Sequence, residues 1–173
     1  YIMKGKKLVA QLVELRKSIE PFDKNKAVAK RRLQMKKTVR GKVNTLSEDA
    51  RKVQEVAMEV SHAISAARQE DEQIKQRLEN KETGFTSDMA RGKRYMVDLL
   101  AANIMQRVQA ESFNGPRGDG FPLAAMAAMI SLENKELVPI LAAHIYTVCP
   151  MAMPTLPKPT ASASEDDLMS SLG

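Results

Sequence analysis

The stretch Met96-Val-Asp-Leu-Leu-Ala-Ala-Asn-Ile-Met-Gln-Arg-Val108 decides how this chain folds. Met96, Leu100, Ile104 and Val108 recur every four residues, reinforced by Leu99. That spacing puts them on one face of a helix, and a face this apolar must be buried. Upstream, Ser87 is placed to cap this helix, with Asp88 in its first turn. Downstream, Asn114-Gly-Pro-Arg-Gly-Asp-Gly120 reads as a loop. Pro122 suits the first position of a nearly all-apolar helix over 123–132, which predicts burial on several sides, with Met126 and Met129, like Met96, as core. A further helix is expected over 136–148, with Pro139 inside its tolerant first turn. Cys149-Pro150 ends it, and Pro154, Pro157 and Pro159 exclude regular structure beyond.

Toward the N-terminus, Leu8, Leu12, Leu15 and Ile19 form a stripe, widened by Val9 and Val13, that predicts a helix over 6–20 ended by Pro21. Asp23 is placed to cap a second, strongly basic helix stopping near Gly41. Its apolar line is thin: Val28, Met35 and Val39, with Leu33 off the line. Ser47 is expected to cap a third helix carrying Val53, Val56, Val60 and Ile64; its pattern turns polar at 68–73 and resumes weakly at Ile74 and Leu78, before a break at Gly84.

The chain of 173 residues is 43% hydrophobic but only 4% aromatic, with no Trp and 11 Met, so its core must be aliphatic. Strand-like alternation never lasts more than a few residues. The expected class is all-α: a HEAT-like stack of antiparallel helices over 21–157, preceded by an N-terminal helix (1–20) that ends a coiled coil, and followed by a Ser-rich acidic linker (158–173). Tyr1 in place of Met suggests an excised piece of a longer protein. No apolar run of about 18 residues exists, so no membrane span is expected.

Net charge is +6 and unevenly distributed: residues 1–42 hold 14 Lys and Arg against Glu14, Glu20 and Asp23. The densest part, Lys24 to Lys42, contains no acid. Arg32, Lys36 and Arg40 repeat every four residues, and such like charges repel by a few tenths of a kcal/mol per pair. A compensating anion would relieve this: RNA backbone, an acidic protein, a phosphoinositide or a soluble inositol polyphosphate. A solvated helix face accounts for the same pattern.

Catalytic constellations are missing. Gly115, Gly118 and Gly120 follow no strand, so they do not form a nucleotide-cradling loop. One cysteine and two histidines do not build a zinc site. His144 and Cys149 are five residues apart, an awkward offset for a nucleophile and its base. The expectation is a protein that is not an enzyme.

The run Phe121-Pro-Leu-Ala124, then Glu136-Leu-Val138, Ile140-Leu-Ala142, and Cys149-Pro150 with Pro154 and Pro157, preceded by Val108-Gln-Ala-Glu111, resembles the Gle-one family of mRNA export factors. Order and spacing carry the resemblance, which covers most of residues 24–157 and implies the N-terminal part of that family's HEAT-like C-terminal domain. It further implies activation of a DEAD-box RNA helicase at the cytoplasmic face of the nuclear pore complex, in a protein of cytoplasm and nucleus. An FG-type nucleoporin is the second implied partner, and inositol hexakisphosphate the implied tether. The residues matching the family's basic cluster are Arg31, Arg32, Lys36 and Lys37, with His144 at a further basic position. Thr147, Val148, Ile104 and Val108 stand where some members carry basic residues, so the implied pocket is reduced. The alternative is a helical adaptor binding RNA or anionic lipid through the basic second helix.

Overall fold

A computed structural model describes residues 2–112 and 120–149, with side chains from 5 to 110 and from 120 onward. The expected linker 158–173, the proline-rich run and most of the loop around Gly115 lie outside the described residues. Six α-helices are present among those described, and no strand: α1 (Ile2–Lys24), α2 (Ala29–Asn44), α3 (Ala50–Glu79), α4 (Gly92–Ser112), α5 (Gly120–Glu133) and α6 (Leu137–Val148). Short 3-10 turns at Lys26–Val28 and Ser87–Arg91 lead into α2 and α4.

The helix that decides the fold is its centre. α4 packs against α1, α2, α3 and α6, and Met96, Val97, Leu100 and Ala101 are at most 1% exposed. Ile104 continues the buried face, and Val108 packs half-buried against it. Around this axis the partners are distant in sequence: α1 lies on α6, and α3 on α5. The half of α1 beyond Leu12 is part of this fold, with Ile19 and Phe22 in the core.

Several helix ends differ from the sequence expectation. α1 does not stop at Pro21 but runs to Lys24 with the proline inside it. Phe22 is the reason: it is fully buried, 5.2 Å from the Tyr95 ring and beneath the Arg31 guanidinium. Burying a Phe is worth roughly 1.5–3 kcal/mol, which offsets much of the cost of one proline in a last turn. Asp23 therefore does not cap α2; Asn25 caps the 3-10 turn before it, its Oδ1 accepting from Ala27 N at 2.8 Å, and α2 itself starts after Val28 without a side-chain cap. α2 passes through Gly41 to Asn44, because Val43 is buried and the chain must stay helical to deliver it; Leu46, also buried, follows just past the helix end. The cap of α3 is Asp49, accepting from Arg51 N at 2.9 Å, rather than Ser47. Ser87 opens the 3-10 turn, five residues before α4.

Across 68–73, where the sequence pattern turns polar, α3 continues without a break. Its buried stripe runs through Val60, Ile64, Ala67 and Asp71 to half-buried Ile74 and Leu78, so an alanine and an aspartate hold core positions. α5 differs in the opposite sense. Leu123, Met126, Ala127 and Ile130 are buried, but Phe121 is 83% and Leu132 78% exposed, so only one side of this apolar helix is covered.

Tyr95 gives this core a pH signature. Burial, then the Asp23 carboxylate beside it, push its hydroxyl up from 10.0 to about 12. Its contribution to stability is complete below pH 10, where unfolded tyrosine is still protonated, and is lost as pH rises through about 12. A tyrosinate absorbance titration should show one tyrosine ionising late, and Tyr95→Phe should remove that step and flatten the alkaline fall in stability.

Candidate anion-binding site

The candidate site is the outer face of α2, and its geometry follows from which of its cations are already engaged. Arg31 points inward. Its guanidinium donates to Asp71 Oδ1, Ala67 O and Met89 O, each at 2.9 Å. Its Nε lies 2.5 Å from Glu70 Oε2, close enough for an ion pair but not aligned for a hydrogen bond. Asp71 in turn accepts from the first amides of α4, Gly92 N at 2.9 Å and Lys93 N at 2.8 Å. Arg32 is engaged at the end of α1, donating to Phe22 O at 2.9 Å and Asn25 O at 2.6 Å, with Asp23 3.5 Å away. It thus satisfies carbonyls that a helix end leaves open. Lys24 pairs with Glu20 and Lys42 with Glu59.

Five cations of the segment remain without an acid in ion-pair range among the described residues: Lys26, Lys30, Lys36, Lys37 and Arg40. On α2, Lys30, Lys37 and Arg40 are exposed around Leu33, itself 54% exposed, and Lys36 is half-buried at the edge of the same face. The opposite side of the helix holds Met35, Val39 and Val43 in the core. Beside this face a groove of about 660 Å³ runs between α2 and α3, walled by Lys30, Gln34 and Thr38 and floored by Met35 and Met96. Cations held this way on a rigid helix suit a multiply charged anion, since ordering them costs less entropy than ordering a free loop.

Of the residues expected to bind inositol phosphate, then, α2 brings Lys36 and Lys37 to the outer side and turns Arg31 and Arg32 into internal ties. His144 sits elsewhere, on α6: it is 4% exposed, with Nε2 2.7 Å from Asp98 Oδ1, and Arg16 Nε lies 3.8 Å from the other oxygen of that carboxylate. Cys149 is exposed, whereas the His144 ring nitrogen is occupied by Asp98. Ile104, which the resemblance places at a basic position of the pocket, is buried, and Thr147 donates to His144 O at 2.7 Å. Sequence reasoning missed Asp71 and Gly92 altogether. Their signal was present: Asp71 continues the three-and-four spacing of Ile64 and Ala67, which an amphipathic reading discards as polar.

These features define a class of protein: among the described residues, an all-helical scaffold that carries charged surfaces on its helices, with no helix long and apolar enough to cross a membrane. The chain belongs to the GLE1-like protein family, which it matches over residues 8–173. This is a family of mRNA export factors, and the resemblance carried by Phe121 to Pro157 is thereby borne out. No curated protein and no solved structure matches the chain.

Proposed function

We propose that this chain is a non-catalytic mRNA export factor that binds and activates a DEAD-box RNA helicase at the cytoplasmic face of the nuclear pore, with an FG-type nucleoporin as a second partner. Family membership supports the helicase role. The observation that carries the site is the set of cations on α2 with no acid in ion-pair range among the described residues, beside Arg31 and Arg32, which fasten the same helix to α1, α3 and α4. Inositol hexakisphosphate is the anion this face would hold, through Lys36 and Lys37 with Lys30 and Arg40 alongside. An activator of this kind works by binding one arrangement of the helicase lobes more tightly than another, which shifts their population.

The test is RNA-stimulated ATPase turnover of the cognate export helicase, with and without inositol hexakisphosphate. The expected result is stimulation that grows with the inositol phosphate and whose half-maximal concentration rises about tenfold or more in Lys36→Glu/Lys37→Glu, because each charge-assisted contact is worth about 1.5–3 kcal/mol. Stimulation indifferent to the inositol phosphate would keep the activator and discard the tether. No stimulation would leave an adaptor whose basic face binds RNA or anionic lipid.

A further inference from the structure

A second cleft, of about 630 Å³, opens where α3 meets the start of α4. Five cations line it: Arg68 and Lys75 of α3, Arg91 just before α4, and Lys93 and Arg94 in its first turn. The acids in the same wall are Asp71, Glu72 and Glu136. Asp71 is already committed to Arg31, which enters from the α2 side, and to the amides of Gly92 and Lys93. The end of the α4 dipole is thus occupied and contributes nothing further here. Lys75 pairs with Glu72 at 2.8 Å and Lys93 with Glu136 at 2.5 Å, while Arg91 reaches Asp88 at 3.5 Å and donates to Ser18 O. Arg68 and Arg94 have no acid in ion-pair range among the described residues. Three arginines therefore border one concave space, two of them with no acid in ion-pair range among the described residues, although the Glu72 carboxylate feels the charge of Arg68. Guanidinium forks match phosphate oxygens two at a time, and Ser87 stands in the same lining, whereas the Ser18 hydroxyl is committed to Leu15 O.

We infer that this cleft is a second anion site, which takes a compact, multiply charged phosphate compound between Arg68 and Arg94. It is separate from the outer face of α2: the Arg31–Asp71 pair forms the wall between the two, since Arg31 lines the α2–α3 groove and Asp71 lines the cleft. A concave site walled on several sides favours a small polyphosphate over a long polymer, which needs an open track.

The experiment is calorimetric titration of the chain with inorganic tripolyphosphate, with sulfate at matched ionic strength and a short single-stranded RNA as the other arms. Two saturable components of tripolyphosphate binding are expected: the cleft's component is weakened about tenfold or more in Arg68→Glu/Arg94→Glu and persists in Lys30→Glu/Lys37→Glu, which weakens the component at the α2 face. Circular dichroism melting checks that each variant folds, and Arg68→Gln/Arg94→Gln replaces the reversal should it not. Equal binding of sulfate, or loss of the same component in both double variants, overturns the site. Tighter binding of RNA through the same two arginines overturns the compact ligand in favour of a nucleic acid.

Discussion

Asp71→Ala will lower the thermal midpoint of this domain by roughly 10 °C, the value that about 3–5 kcal/mol implies for a chain of this size. The carboxylate side chain is 7% exposed and serves three donors at once: Arg31, Gly92 N and Lys93 N. Truncating it leaves a buried guanidinium without its principal counter-charge and two amides at the start of α4 without an acceptor. Each orphaned amide costs about 1–3 kcal/mol, and the unpaired cation adds to that. Ion pairs of this kind contribute little against a well-packed apolar pair, but breaking one is severe. The double variant Asp71→Leu/Arg31→Leu is therefore expected to recover part of the loss, although the amides stay unpaired. Thermal and urea melts followed by circular dichroism measure both. A midpoint unchanged in Asp71→Ala would mean that water replaces the carboxylate and that the pair does not hold α2, α3 and α4 together.

Gly92→Ala is the second large effect, and its sign runs against local preference. Gly92 has φ −60° and ψ −42°, ordinary helical values at which alanine is favoured by about 1 kcal/mol. A Cβ built there would approach Arg31 Nη2 to 2.4 Å, Arg31 Cζ to 2.6 Å and Met35 Cε to 2.9 Å. Side-chain ends usually give way, but this guanidinium is held by Asp71, Ala67 O and Met89 O. Displacing it forfeits charge-assisted hydrogen bonds of about 1.5–3 kcal/mol each, which outweighs the helical gain. A net loss of about 2–3 kcal/mol is expected, read from the urea midpoint at unchanged slope. Arg31→Ala in the same background should make Gly92→Ala close to neutral, because the clash partner is gone; if the two losses simply add, crowding is not the cause.

Both variants fall on residues that a search for apolar stripes passes over, and this shows what the sequence could carry. The stripe Met96, Leu100, Ile104 was legible because helical periodicity is a property of neighbouring residues, and burial of that face is its direct consequence. Helix ends were less legible. Pro21 and Gly41 are genuine local stop signals, overridden by burial of Phe22 on one side and Val43 on the other. The density of charge on α2 was plain, but its division between inside and outside was not. Arg31 and Lys37 look alike in the sequence; the difference is Asp71, forty residues away, and the Met89 carbonyl beyond it.

What the sequence by itself determined is the helical class, the aliphatic core, the basic segment and, through the ordered motifs from Val108 to Pro157, the family. Each of these depends on spacing and composition along the chain. The tertiary structure alone decided that α1 lies on α6 and α3 on α5, that α5 keeps Phe121 and Leu132 uncovered, and which cations are ties and which stay outside. The physical reason is common to all three. An apolar face specifies that it must be covered but not by which partner, and a charge specifies a field but not a counter-charge, so both are settled only when distant segments pack.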